Sequence, residues 1–321
     1  MIIKPADDWD IYYSVWQEGM ENVYWFKDSG LFDYTRDEDT ASLEQQFHEK
    51  DNIFLIATEH NQPKGVLGIR VSKSRGSIRR WEPVTIAPED YEVGDALLKA
   101  AVLEAKNRKL LSLSTVLRYR VGAPKPWLST LYESNGFRDI KPGLQLIKSI
   151  KDNQTSHVSI FETSPANNYP IEQMRDITLM SFASQPEDIM VHGDDARVSD
   201  PFVVTNQLEL IMKGAFGETD EQLMRVALLD GEPAGFIMGA IREESNRPRY
   251  GVIAILGVLP EYRRRGVGSS LSRLILSRFK ERKCEYAYLG TPRINHKAIR
   301  LYEGLGFKPI FYVYRYEKRL D

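Results

Sequence analysis

The sequence predicts two consecutive α/β (α+β) domains, residues 1–150 and 151–321, each a mixed sheet with helices on both faces. Three observations predict this. Segments of the first half recur in the second, in the same order and at nearly one spacing. A nearly all-apolar stretch, residues 250–258, reads as a central strand covered on both sides. Helical periodicity follows it over residues 269–283, with Leu271, Leu274, Ile275 and Arg278 near one face and Leu274, Ile275 and Phe279 as the buried stripe.

The repeats fix the layout. LYESNGF at 131–137 matches LYEGLGF at 301–307, 170 positions on, and the hairpin signal QPKG at 62–65 matches EPAG at 232–235 at the same spacing. Ala87-Pro88-Glu89 matches Leu259-Pro260-Glu261 at a spacing of 172. The junction is expected in the polar stretch 148–156. In the second copy, strands are expected over 157–161, 223–229, 236–241, 250–258 and 286–289, with a pair of strand segments over 307–317. Helices are expected over 170–182, 203–214, 269–283 and 296–304. First-copy counterparts are strands at 53–58, 66–71, 81–86 and 110–114 and helices at 95–108 and 126–135.

Composition narrows the function classes. A chain of 321 residues, 42% hydrophobic and 27% charged, is long enough for about two buried cores. A net charge of −2 argues against a partner held mainly by electrostatics, such as nucleic acid or an anionic membrane. The N-terminus MIIKPADDWD lacks the apolar core of a signal peptide, and no apolar run approaches the ~20 residues of a membrane span, so a cytoplasmic location is expected. Cys284 is the sole cysteine and reads as a buried residue. The five histidines lack metal-ligand spacing, and no metal site is expected. Nothing in the sequence sets an oligomeric state.

The chemistry concentrates in VLPEYRRRGVGSS, residues 258–270. A strand ends before Pro260, three arginines follow, and Gly266 and Gly268 precede a helix. The unpaired amides of a helix start carry its positive dipole end and suit a bound phosphate. Neither the Walker pattern nor the dinucleotide GxGxxG is present. What stands is Arg263-x-x-Gly266-x-Gly268, followed by Asn295-x-x-Ala298-x-x-Leu301-Tyr302 and Gly306-Phe307.

This pair of motifs resembles the acyl-CoA-binding core of the GNAT superfamily of N-acetyltransferases. The resemblance implies tandem GNAT-like domains with mostly antiparallel sheets, acetyl-CoA as cosubstrate, and a small-molecule or peptide amine as acceptor. It implies that the backbone of Leu256 and Val258 pairs with the pantetheine arm. Arg263, Arg264, Arg265, Gly266, Val267, Gly268 and Ser269 would cradle the pyrophosphate, with Ser270 also within reach. Asn295 would bond the pantetheine amides or cap its helix, and Tyr302 would donate a proton to the departing thiolate. The plain alternative for Tyr302 is a packed aromatic. The general base is left open: residues 250–259 contain no acid, unlike many relatives, and Glu243, Glu244, a carboxylate from 187–200 (near His192, Asp194 and Asp195) or a water could serve. The cluster Trp9, Tyr12, Tyr13, Trp16, Tyr24, Trp25 and Phe26 is either a pocket lining between domains or core.

In the first copy Tyr91, Gly94 and Ala96 stand at the positions of Arg263, Gly266 and Gly268, and Glu89, Asp90, Glu92 and Asp95 crowd the loop. Lys125 replaces Asn295. That copy is expected to be degenerate, with catalysis in the second. A different class, a non-catalytic CoA-sensing or protein-interaction module, is the alternative.

Overall fold

The computed structural model describes residues 1–21, 40–78, 81–151, 160–183, 200–243 and 248–320. The chain divides into two compact units, Met1–Lys141 with Tyr312–Asp321, and Pro142–Phe311.

The first unit runs β1 (Ile2–Pro5), α1 (Trp9–Glu21), α2 (Thr40–His48), β2 (Ile53–Glu59), β3 (Gln62–Ser72), β4 (Arg75–Ser77), β5 (Val84–Thr85), α3 (Tyr91–Asn107), β6 (Ser112–Arg120), α4 (Trp127–Ser134) and β7 (Arg138–Asp139). The second runs β8 (Gly143–Ser149), β9 (Glu162–Pro165), α5 (Ile171–Ala183), α6 (Pro201–Met212), β10 (Met224–Leu229), β11 (Glu232–Arg242), β12 (Tyr250–Val258), α7 (Val267–Glu281), β13 (Tyr286–Pro292) and α8 (His296–Gly304). A last strand, β14 (Lys308–Arg319), ends in the first unit.

Strand order in the second unit is β8-β13-β12-β11-β10-β9. Among the described residues of this unit, β12 and β13 pair in parallel, with α7 crossing between them, and the other neighbours pair antiparallel. In the first unit the order is β1-β2-β3-β4-β6-β14, and β4 pairs with β6 in parallel. Local chemistry explains the elements. The β10–β11 turn uses Asp230 and Gly231, both at positive φ, as a two-residue hairpin needs. Helix α7 buries Leu271, Leu274, Ile275 and Phe279, each worth ~1.5–3 kcal/mol. Phe279 lies over Gly251, where a Cβ would sit 2.2 Å from its Cδ2.

The duplication holds at the level of single bonds. Both hairpins carry an irregularity at the same place, between Ala57 and Thr58 and between Ala227 and Leu228. Phe137 N–H donates to the Tyr132 carbonyl at 3.0 Å, and Phe307 N–H to that of Tyr302 at 3.0 Å. The spacing of 170 also matches Lys148 with Lys318, and here the copies trade strands. Lys318 Nζ donates to the Asn135 carbonyl in the first unit, and Lys148 Nζ to the Leu305 carbonyl in the second, each at 2.7 Å. Strand β8, which follows the first copy in sequence, completes the second unit beside β13, and the end of β14 completes the first beside β6. The division therefore differs from the expected one at 150/151. It falls at 141/142, and the last residues return to the first unit, because two strands of like pattern can each close either copy.

Three other expectations change. The first copy's central strand, expected over 81–86, shortens to Val84–Thr85, since Pro83 has no N–H to give a ladder. Lys308–Arg319 is one continuous strand rather than the two segments expected over 307–317. The strand expected over 157–161 is observed as Glu162–Pro165, and 157–159 lie outside the described residues. Of the aromatic cluster, Tyr12 and Trp16 are core, packed with Phe47, Phe54 and Trp81 of the first unit. Residues 24–26 lie outside the described residues.

Candidate active site

The site is built where β12 loses its neighbour. Parallel pairing with β13 runs from Tyr250 with Tyr286 to Ile253 with Leu289 and goes no further, while pairing with β11 continues to Val258. On the β11 side Met238 faces Ile255 and Gly239 faces Ile253, so Ala254 is an extra residue, a β-bulge. A bulge bends and twists its strand, and this one sits where β12 leaves β13, which stays paired with β8 to Pro292. From Ala254 onward the β13-facing side of β12 has no ladder, an edge that can accept an extended ligand segment.

At the end of β12 the chain turns through Pro260–Tyr262 and two positive-φ residues, Arg264 and Gly266, into α7. Gly266, at φ +88°, is the N-cap and has no side chain to offer, so the first amides of α7 are uncapped from within. Gly268 bears on what fits there. A Cβ on it would lie 3.4 Å from Leu301 Cδ2, 3.5 Å from Val258 Cγ2 and 3.9 Å from Leu256 Cδ2, all ordinary contacts. Nothing among the described residues demands glycine at 268; an outside group brought close to the backbone would. The bare amides of Val267, Gly268 and Ser269, with exposed Arg264 and Arg265 beside them, suit a diphosphate such as that of CoA. The guanidinium carbon of Arg265 stands 5.6 Å from the centre of the Tyr262 ring.

Arg263 and Ser270 do not join this group. Arg263 Nε donates to the Val258 carbonyl at 3.2 Å and its Nη2 to the Ser181 carbonyl at 2.6 Å. The guanidinium is directed into the protein, because the left-handed turn at Arg264 separates it from its two neighbours. The same bond occupies the Val258 carbonyl, one of the backbone groups expected to pair with pantetheine, while Leu256 stays on the free edge. Ser270 is buried and its hydroxyl accepts from Ile160 N–H at 3.2 Å.

Helix α8 meets this corner through Leu301, which lies beside Gly268. Asn295 caps it, its side chain accepting from Ala298 N–H at 3.1 Å, so the capping role holds. Tyr302 follows Leu301, is buried, and packs edge-on to Phe307 with ring centres 5.8 Å apart. Burial pushes its phenol well above the ordinary tyrosine range, so it stays a proton donor throughout neutral pH.

Among the candidate bases, Glu243 pairs with Arg249 at 3.2 Å, next to the start of β12. That is roughly 20 Å along the strand from Leu256, by the rise per residue. Glu244 and residues 187–199 lie outside the described residues, and Asp200 caps α6 through Phe202 N–H at 2.9 Å. Among the described residues no group of three or more His, Cys, Asp or Glu could hold a metal, and no helix is long and apolar enough to cross a membrane. Burial raises the Cys284 thiol to about 11, which keeps it protonated and unreactive. The bulge at Ala254 and the inward turn of Arg263 escaped sequence reasoning: neither residue type signals its backbone geometry.

Residues 194–307 match the model of the acetyltransferase (GNAT) family. N-alpha-acetyltransferase 30 of Xenopus laevis and of Homo sapiens are each 34% identical over 95 residues, 30% of this chain; the match spans 35% of the frog protein and 26% of the human one. An N-alpha-acetyltransferase of Sulfurisphaera tokodaii is 34% identical over 93 residues, 26% of this chain and 56% of its own length. The chain thus matches well under two thirds of each of these relatives. Among solved structures, a GCN5-related N-acetyltransferase from Sphaerobacter thermophilus aligns over 99% of this chain and 95% of its own, with a TM-score of 0.63 and 12% identity. A tandem GNAT protein from the clavulanic acid biosynthesis pathway aligns over 100% and 98%, with a TM-score of 0.55 and 12% identity. These two likenesses show the fold.

Proposed function

We propose, from the GNAT acetyltransferase domain that residues 194–307 form, that this protein is an N-acetyltransferase taking acetyl-CoA as cosubstrate, with transfer in the second unit. The observation that carries the reading is the bare N-terminus of α7 beside the unpaired edge of β12. In this reading the amides of Val267, Gly268 and Ser269, with Arg264 and Arg265, hold the diphosphate, and the edge at Leu256 holds the pantetheine arm as an added strand. Positioning the thioester beside the nucleophile supplies much of the rate, and backbone amides beyond the bulge polarise its carbonyl. The amine forms the new C–N bond as C–S breaks; Tyr302 gives its proton to the departing sulfur, and the amine loses one to a base or to water. The acceptor is a primary amine of a peptide or small molecule. The N-alpha-acetyltransferase relatives favour a peptide α-amine.

Thiol release from acetyl-CoA, followed across N-terminal peptides and small primary amines, tests the reading. Turnover with at least one class, lowered in Tyr302→Phe, is expected. The absence of an acid among residues 250–259 favours a second reading, a CoA-binding module without transfer. Binding without turnover by any amine would establish that reading and overturn the first.

A further inference from the structure

One face of the first unit's sheet is lined by arginine. Helices α1 and α2 lie on this face over β2 and β3, where Tyr12 and Phe47 pack with Phe54 and Trp81. A Cβ on Gly68 would lie 2.6 Å from Phe54 Cε1, so Gly68 sits beneath that cluster, and Arg70, two residues on, shares its face. Strand pairing carries the face onward. Arg70 stands opposite Ser77 and Ser77 opposite Ser114, while Ser72 stands opposite Arg75. Along β6, residues 114, 116, 118 and 120 alternate outward against buried Thr115, Leu117 and Tyr119. The β14 tyrosines lie on the α4 side: Tyr316 stacks on Tyr132, and Tyr119 donates its hydroxyl hydrogen to that of Tyr314 at 2.7 Å. Arg315 and Arg319 therefore share the face of Arg118 and Arg120. Six arginines of β3, β4, β6 and β14 thus lie on one face with a single carboxylate of those strands, Glu317. Arg70 and Arg75 are exposed and make no ion pair among the described residues, and the buried Nε of Arg118 has no hydrogen-bond partner there. Residues 60–81 and 105–125 hold six Lys or Arg each and no Asp or Glu, an excess that the net charge of −2 averages away.

We propose that this face docks an extended acidic segment of another protein, with carboxylates on alternate residues. Diagonal cross-strand neighbours such as Arg70 and Arg75 stand about 7–8 Å apart and repel; an anion laid between them offsets that cost. Alternate side chains of an extended segment repeat every ~6.5 Å on one side, the same period at which Arg118 follows to Arg120 along β6. Planar guanidinium forks take carboxylates two bonds at a time, and the Ser77 and Ser114 hydroxyls add donors between them. A single-stranded nucleic acid fits less well, because the residues of these strands on this face include no ring on which bases could stack. The docking needs neither CoA nor acyl transfer, so it stands apart from the reading of the second unit.

Fluorescence anisotropy of the whole chain with a labelled twelve-residue peptide of alternating glutamate and serine tests the proposal. A glutamine-serine peptide of the same length and a uridine 12-mer are the comparison probes. The acidic peptide is expected to bind, and to weaken about tenfold as salt rises from about 50 to 200 mM. The double variant Arg70→Glu/Arg75→Glu is expected to weaken it about tenfold or more and Arg118→Gln about threefold, with CoA affinity by calorimetry at the parent value. Arg70→Gln/Arg75→Gln shows a smaller fall in the same direction and serves if the charge-reversed variant does not fold. Arg264→Ala/Arg265→Ala, in the second unit, leaves peptide affinity at the parent value. Equal binding of the glutamine-serine peptide would overturn the proposal, as would no binding by either peptide or parent affinity in both Arg70/Arg75 variants. Tighter binding of the uridine 12-mer would also overturn it and make the face a nucleic-acid surface. Failure of the protein to bind CoA would count against the transfer reading and leave this result as it stands.

Discussion

Helices α3 and α7 occupy the same place in the two copies but begin differently. At α3 the N-cap is Asp90, whose carboxylate accepts from Val93 N–H at 3.1 Å. At α7 it is Gly266, with no side chain. Helix α3 also starts at Tyr91, the position matched to Arg263, so Gly94 falls inside its first turn. A Cβ on Gly94 would lie 2.9 Å from the Trp127 ring, whereas one on Gly268 would meet only ordinary contacts. The first copy uses its helix start and its glycine for internal packing and capping; the second leaves both open. In the proposed reading, one fold loses or keeps an anion site through the first turn of one helix, for about 1 kcal/mol of forgone capping.

The comparison breaks most readily at Gly266. Gly266→Asp imitates Asp90 and puts a carboxylate over the amides of α7; CoA affinity by calorimetry is expected to fall about 100-fold. Gly266→Asn, which also tolerates positive φ, is expected to fall less than about tenfold. Equal losses would show that strain, not charge, governs the site.

The paired tyrosines come next. Tyr302→Phe is expected to lower kcat about 10- to 100-fold at unchanged CoA affinity. Because burial raises the Tyr302 phenol, no fall in rate from its ionisation is expected as pH rises through neutrality to about 9. Tyr132 is fully buried, its hydroxyl has no hydrogen bond of ordinary geometry among the described residues although Thr115 lies near, and burial, with Glu82 adding to it, pushes the phenol upward. Tyr132→Phe is expected to leave kcat unchanged and stability equal or slightly higher, as read by urea unfolding. A comparable loss of rate in both variants would place chemistry in the first unit.

The glycines give a smaller, opposed pair of effects. Gly94→Ala is expected to cost ~1–3 kcal/mol of stability through overpacking against Trp127, without touching CoA binding. Gly268→Ala is expected to leave stability equal or raised by ~0.5–1 kcal/mol while weakening CoA about tenfold. Smallest of all, Asp90→Ala is expected to cost ~1 kcal/mol in denaturant titration and to create no CoA site, since Gly94 remains packed under Trp127. Gain of binding in that variant would mean that charge alone silenced the first copy.

Much of this contrast is legible in the sequence. The spacing of 170 locates both hairpins and both Tyr-to-Phe turns, and the acids around Tyr91 mark that loop as unsuited to a polyanion; that the helix starts at Tyr91 with Asp90 as its cap, rather than at the expected 95, is not legible. The strand exchange is not legible: the match of Lys148 with Lys318 says that two strands are alike, not which edge each one joins. Nor are the three arginines separable by residue type. A left-handed turn at Arg264 sends Arg263 inward and leaves Arg264 and Arg265 outside. The bulge at Ala254 has the same character, since an extra residue in a strand shows only against its partner.

Hydrogen exchange with and without saturating CoA tests the central claim most directly. The account predicts protection at the amides of 267–270 and along 254–258, with none at 91–94. Protection at 91–94 instead, or at neither helix start despite bound CoA, would contradict it.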